Sequence, residues 1–303
     1  MNSDQNKGYL MILAAGVLWG SIGLFSTTLS TMGMDTGCVA FFRLLTSSIL
    51  LAMLMLIKGK GTGLFRISKR GLFSCALVGL FSQALFNICY MNAIKYGGMA
   101  TAAVFLYTSP VFVAIMSRMF FHEELTRNKI IAILINIVGC ALVAMGGDFS
   151  QIQISGFAVI MGLLAGFTYA LLPILSRTGA DKEDPFTAAF YGQVIGMLIL
   201  LFIIRPYNGI GTEFTWRMLP AIIGLGLFPS AMTYSLYYSG LTRIKETTIV
   251  PVLASIETVI AALIGLIAFG QTVGPGKIAG IALVLCSIAV MNIKKPETEG
   301  NAE

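Results

Sequence analysis

Residues 249–269 read IVPVLASIETVIAALIGLIAF, an apolar run long enough to cross a bilayer as one helix, with Glu257 near its middle. Of the fourteen acidic residues in the chain, it is the only one deep inside an apolar span. A carboxylate at that depth costs about 3 kcal/mol on insertion scales. It therefore faces a protein interior or a watery cavity and is a functional group by default. Its opposite number is Arg43, in AFFRLLTSS, some eight residues inside another apolar span.

The rest of the chain agrees with a membrane setting. Hydrophobic residues make up 56% of it, charged residues only 11%, and the mean hydropathy is +0.85, far from a soluble domain. The first apolar run outlasts a signal peptide and lacks a clear cleavage site, so it reads as a retained helix. Polar breaks mark ten spans, near 8–31, 36–57, 72–94, 98–121, 128–146, 154–176, 185–205, 218–240, 246–269 and 275–293. With the N-terminus inside, fifteen Lys and Arg fall at cytoplasmic ends. Only Lys95, Arg205, Arg217 and Lys277 fall outside, which predicts that both termini are cytoplasmic. The net charge of +6 is thereby explained by membrane orientation, not by nucleic acid. The five cysteines lie in apolar runs with no CxxC pair, so neither disulfides, metal nor cofactor is expected.

The sequence also repeats. Lys129, Ile130, Ile133 and Ala141 recur as Lys277, Ile278, Ile281 and Ala289, 148 positions on (277 − 129). Asp35, Ala40 and Phe41 recur as Asp184, Ala189 and Phe190, and Gly79-Leu80-Phe81 as Gly226-Leu227-Phe228. Five spans per copy is an odd number, so the second copy enters the membrane from the other side. The expected fold is an all-α membrane protein of two inverted five-helix repeats, residues 1–147 and 148–293, with a polar cytoplasmic tail at 294–303. The pairs Gly16/Gly20, Gly162/Gly166, Gly192/Gly196 and Gly276/Gly280 are spaced for close helix approach. Pro110, Pro173, Pro229 and Pro251 are expected to bend spans.

Candidate chemistry centres on Glu257, read as a proton-coupling group or the counter-charge of a cationic substrate. Arg43 is its partner or a clamp for an anionic group, and the pair suits a zwitterion or an internal salt bridge equally well. Trp19, Asn87, Tyr90, Tyr107, Tyr191, Tyr234 and Tyr238 complete the candidate substrate site, with Phe86, Tyr169, Gln193 and Tyr237 beside them. Aromatic faces and a few placed polar groups are how small-molecule cavities are walled. The single histidine, His122, with Glu123 and Glu124, reads as a solvated helix end. No hydrolase, zinc or nucleotide-binding motif is present, which disfavours an intramembrane enzyme or lipid-modifying protein. A passive channel is the other alternative, but the chain lacks a filter motif.

The residues GVLWGS in the first span, FFRLL in the second, SPVFVAIMSRMFFHEELT closing the fourth and ASIETVIAALIGLIAFGQTV closing the ninth resemble the drug/metabolite transporter superfamily, specifically its ten-helix EamA-type family. In such proteins a Pro is followed thirteen residues later by a Glu at the end of the fourth and ninth helices. Pro110 and Glu123 match, whereas the second copy has Thr258 and Gln271. The resemblance implies a plasma-membrane permease for small organic solutes, often amino acids or related metabolites and often outward, as a monomer or homodimer in the lipid bilayer. It implies alternating access, with proton coupling as one option.

Overall fold

The computed structural model describes residues 3–59, 62–148, 155–206 and 214–291. The expected tail, with Lys294 and Lys295, and Lys60 of the orientation count lie outside the described residues. Among the described residues, fourteen α-helices follow one another: α1 (Ser3–Trp19), α2 (Ile22–Thr31), α3 (Thr36–Lys58), α4 (Lys69–Leu77), α5 (Phe86–Leu106), α6 (Ser109–Phe121), α7 (Arg127–Met145), α8 (Gly156–Arg177), α9 (Pro185–Ile204), α10 (Leu219–Gly226), α11 (Thr233–Leu241), α12 (Ile249–Ala254), α13 (Ile256–Phe269) and α14 (Pro275–Met291). Together they make eight helical stretches long and apolar enough to span a membrane, plus the shorter apolar helices α6 and α14. Large apolar side chains such as Ile57, Phe202 and Ile267 point outward, 75%, 74% and 82% exposed, as a lipid-facing surface requires.

Local chemistry sets the helix ends. Asp35 and Asp184, matched in the two sequence copies, cap α3 and α9, accepting from the amides of Gly37 and Phe186 at 2.7 and 2.9 Å. His122 and Gly270, 148 positions apart (270 − 122), close α6 and α13 in the left-handed conformation, at φ 55° and 62°. Gly98, at φ 76°, turns the chain between its third and fourth apolar runs inside what would otherwise be a 38-residue helix.

Two π-helical segments interrupt the spans at matching places, Val78–Leu85 between α4 and α5 and Leu227–Met232 between α10 and α11. The second holds Pro229, which has no N–H to give, and the Thr233 hydroxyl takes up the Phe228 carbonyl at 2.8 Å. The glycine pairs let backbones meet. A Cβ on Gly139 would lie 3.0 Å from the Gly280 carbonyl, joining α7 to α14, and one on Gly79 would lie 2.9 Å from the Gly196 amide, joining the first π segment to α9.

Contacts gather the basic segments at one end of the bundle. Asp4, Arg70, Glu123, Lys129, Arg177, Glu183, Arg243 and Glu246 all meet there. We call this the basic end.

Candidate functional site

The span that carries Glu257 is broken. Ser255, between α12 and α13, takes φ −62° and ψ −9°, and Glu257 lies in the first turn after the break. Asn136 of α7 staples this point, its Nδ2 donating to Ser255 Oγ at 2.6 Å and to Ser287 Oγ of α14 at 2.9 Å. Ser255 Oγ donates to the Val252 carbonyl and Thr258 Oγ1 to the Ser255 carbonyl, which satisfies backbone groups that the break frees inside the membrane. The first span approaches through its glycines. A Cβ on Gly16 would come 2.7 Å from the Ala254 carbonyl oxygen and one on Gly20 2.9 Å from that of Glu257.

A matching break lies in the other copy. The helix is interrupted between α5 and α6 at Tyr107, which takes φ −73° and ψ 4°, and Gly162 and Gly166 of α8 pack on this point against Phe105. Tyr107 corresponds to Ser255, and Ser109 to Glu257, at the offset of 148.

Glu257 keeps part of its surface accessible although its neighbours Thr258 and Val259 are buried, and it forms no hydrogen bond or ion pair with the described residues. Tyr90, Tyr107, Tyr169 and Tyr234 all lie within its electrostatic reach. The rings form a connected wall. Trp19 meets Tyr234 edge-on at 5.5 Å between centroids, Tyr237 at 5.3 Å and Tyr169 at 6.3 Å. Phe86 meets Tyr169 at 5.5 Å and stacks on Tyr90 at 5.6 Å. α1, α5, α8 and α11 therefore all contribute, from both halves of the chain.

Arg43 is buried and lies against Tyr234, which feels both Arg43 and Glu257. Arg43 and Glu257 do not pair with each other, so of the two options open from the sequence the internal salt bridge is not formed. Asn87 spends its amide on the Gln83 carbonyl of the π segment at 2.5 Å. Tyr238 is buried against Tyr237 with its hydroxyl near Gly192. Tyr191 stands apart from this group, because its hydroxyl donates to the Phe65 carbonyl near the basic end at 2.9 Å.

The structure also brings in residues that sequence reasoning missed. Gln83 on the first π segment is 1% exposed with neither amide atom hydrogen-bonded, the same state as Gln193 on α9, which the sequence had already placed beside the site. Glu123 corrects the expectation of a solvated helix end. His122 and Glu124 are exposed, but Glu123 is only 8% exposed, because the left-handed turn at His122 swings it inward. Its Oε1 accepts from the Thr247 amide at 2.5 Å and pairs with Arg177 Nη1 at 3.3 Å. Its Oε2 accepts from the Thr248 amide at 3.1 Å and the Thr248 hydroxyl at 2.7 Å. Burial opposes the charged form, yet the Thr247 and Thr248 donors outweigh it and hold the carboxyl below the usual carboxylate range. The spacing from Pro110 to Glu123 was the available signal.

A multi-pass helical bundle with an unpaired acid at a broken span, walled by aromatics from both halves, is built as a membrane transporter. The chain belongs to the EamA-like transporter family, whose profile matches it twice, over residues 6–145 and 156–293. It is 28% identical over 283 residues to an uncharacterized transporter of Archaeoglobus fulgidus, covering 93% of this chain and 95% of that one. It is 24% identical over 207 residues to the threonine/homoserine exporter RhtA of Escherichia coli K12, covering 66% of this chain and 65% of the exporter. A solved crystal structure, 16% identical, shares the fold with a TM-score of 0.77 over 94% of this chain and 97% of its own. The protein is thus a transporter and not an enzyme, as its motifs led one to expect.

Proposed function

We propose that this protein exports small organic solutes bearing a free amino group, amino acids and related metabolites, across the plasma membrane by alternating access. The observation that carries the reading is Glu257, left without a partner at a broken span and faced by an aromatic wall that both halves build. A carboxylate in that setting holds either a proton or the substrate's ammonium group, and the two compete for it, which couples their movements. Arg43, against Tyr234, takes the substrate's carboxylate. Trp19, Tyr90, Tyr107, Tyr169 and Tyr234 supply the apolar and π contacts, with Asn87 and Tyr238 behind them. Tyr191 belongs to the approach from the basic end.

We read the bundle as ten spans in two inverted five-helix repeats, the architecture that alternating access calls for. The family profile matches twice, and the caps at Asp35 and Asp184, the π segments and the broken spans recur at equivalent positions. The basic end is assigned to the cytoplasm, with both termini there. The name of the Escherichia coli relative favours amino acids as cargo and export as direction.

The test is transport in proteoliposomes loaded with threonine, homoserine or other amino acids under an imposed pH gradient. Saturable transport stimulated by counterflow is expected, and its pH dependence should vanish in Glu257→Gln. Unsaturable flux without counterflow would instead identify a passive channel.

A further inference from the structure

The six-residue helix α12 is tied to the rest of the bundle in a particular way. At its start, the amides of Thr247 and Thr248 and the Thr248 hydroxyl all donate to Glu123, a residue of the other half of the chain. Arg177, which pairs with Glu123, also donates to the Ile244 carbonyl just upstream. Lys129 Nζ adds a second bridge, to Glu246 at 2.9 Å and to the Glu124 carbonyl at 2.7 Å. At its far end the helix breaks at Ser255, which Asn136 holds from outside. Between these points sits Pro251, which has no amide to give.

One flank of α12 faces a narrow void lined by Val113, Tyr169, Pro173, Tyr237, Pro251 and Ala254. The void is no larger than about one water molecule, so any swing of α12 has to displace the side chains that line it. From the void, Tyr169 leads directly to the aromatic wall and to Glu257.

We infer that α12 is a hinged gate at the basic end, pivoting at Ser255 and latched shut by Glu123. In this structure the latch is made and the route from the basic end to Glu257 is closed. Release of Thr247 and Thr248 from the carboxylate frees the start of the helix to swing away from that end. This rests on the alternating-access reading, in which one end must open while the other is closed. The latch is cooperative, because the charge of Glu123 balances Arg177 while its oxygens satisfy two main-chain amides. Losing it therefore releases several contacts at once.

The experiment uses a full-length chain with its five native cysteines replaced and Ala254→Cys as the probe, in vesicles that expose the basic end to a membrane-impermeant maleimide. With Glu123 intact, labelling is slow, and Glu123→Gln is expected to speed it at least about fivefold, with Thr248→Ala giving an intermediate rate. Equal rates in all three overturn the gate. Thr248→Ala keeps both charges, so it decides the matter if Glu123→Gln does not fold. Labelling needs no substrate, so it reads the gate even if the cargo assignment fails. A companion pair, Glu123→Cys with Thr248→Cys, clamps the helix when oxidised. Transport should then stop and return on reduction, and undiminished transport by the clamped protein overturns the gate while leaving the transporter reading intact.

Discussion

The breaks in the fourth and ninth spans have the same plan and opposite chemistry. Each is packed by a glycine pair from the first span of a half, Gly162 and Gly166 on one and Gly16 and Gly20 on the other. Each is followed by a helix that closes in a left-handed turn, at His122 or Gly270. Yet the ninth span has Glu257 where the fourth has Ser109, and the fourth ends in Glu123 where the ninth ends in Gln271. Glu123 reaches the start of the ninth span and holds it, whereas Gln271 makes only a long contact to Lys277, at 3.4 Å. The same local geometry recurs 148 positions apart, with an acid at the break in one case and an acid at the span end in the other.

The strongest way to break the comparison is to crowd both junctions. Gly16→Leu and Gly166→Leu each drive a side chain into backbone, at 2.7 Å from the Ala254 oxygen and 2.8 Å from the Phe105 oxygen. Both should abolish the monodisperse peak in detergent chromatography. Next comes the chemistry of the breaks. Glu257→Gln should lower gradient-driven transport about a hundredfold in proteoliposomes, and Ser109→Ala should stay within about threefold of the unaltered protein, an asymmetry of roughly 2–3 kcal/mol in barrier height.

The span ends differ less. Glu123→Ala leaves Arg177 without its partner and two amides without an acceptor. It should cost about 3 kcal/mol in unfolding free energy, while Gln271→Ala should cost under about 0.5 kcal/mol, as read from thermal unfolding. Acid sharpens the same contrast. The folded-state pKa of Glu123 lies below its unfolded value of 4.5, so its stabilisation is complete at neutral pH and fades as the pH falls below about 4.5 and through the lowered value. Thermal midpoints should fall in that acid range and lose much of that dependence in Glu123→Gln. Near neutral pH, Glu123 does not titrate, so any transport response there belongs elsewhere. The smallest effect is expected from Gln271→Glu, a shift of a degree or so in melting temperature, since the new carboxylate is exposed and has Lys277 as its neighbour at a long distance.

Much of this arrangement was legible from residue patterns. Apolar runs mark the helices, the offset near 148 pairs the two copies, and an acid alone among apolar residues singles out Glu257. What pattern alone left open was partnership. Arg43 and Glu257 read equally as an ion pair or as separate poles, and only the folded structure, in which they form no ion pair, decides that they are separate. Glu123 looked solvated because HEEL is polar in a row, and one left-handed residue turns the second of those side chains inward while its neighbours stay out. Lys129 counts as a surface charge in an orientation tally, yet it is 6% exposed. Of the π segments, only Pro229 hints at one, because their extra turn arises from packing and not from composition.

Two of the four groups that grip Glu123 are peptide N–H groups, and these are not encoded by any side chain. Single-residue variation at 247 leaves an N–H there unless proline is introduced. A saturation library scored for function should therefore show a tolerant 247, a moderately tolerant 248 and an intolerant 123: the clasp is shared across the contact, but its genetic burden falls almost wholly on one codon.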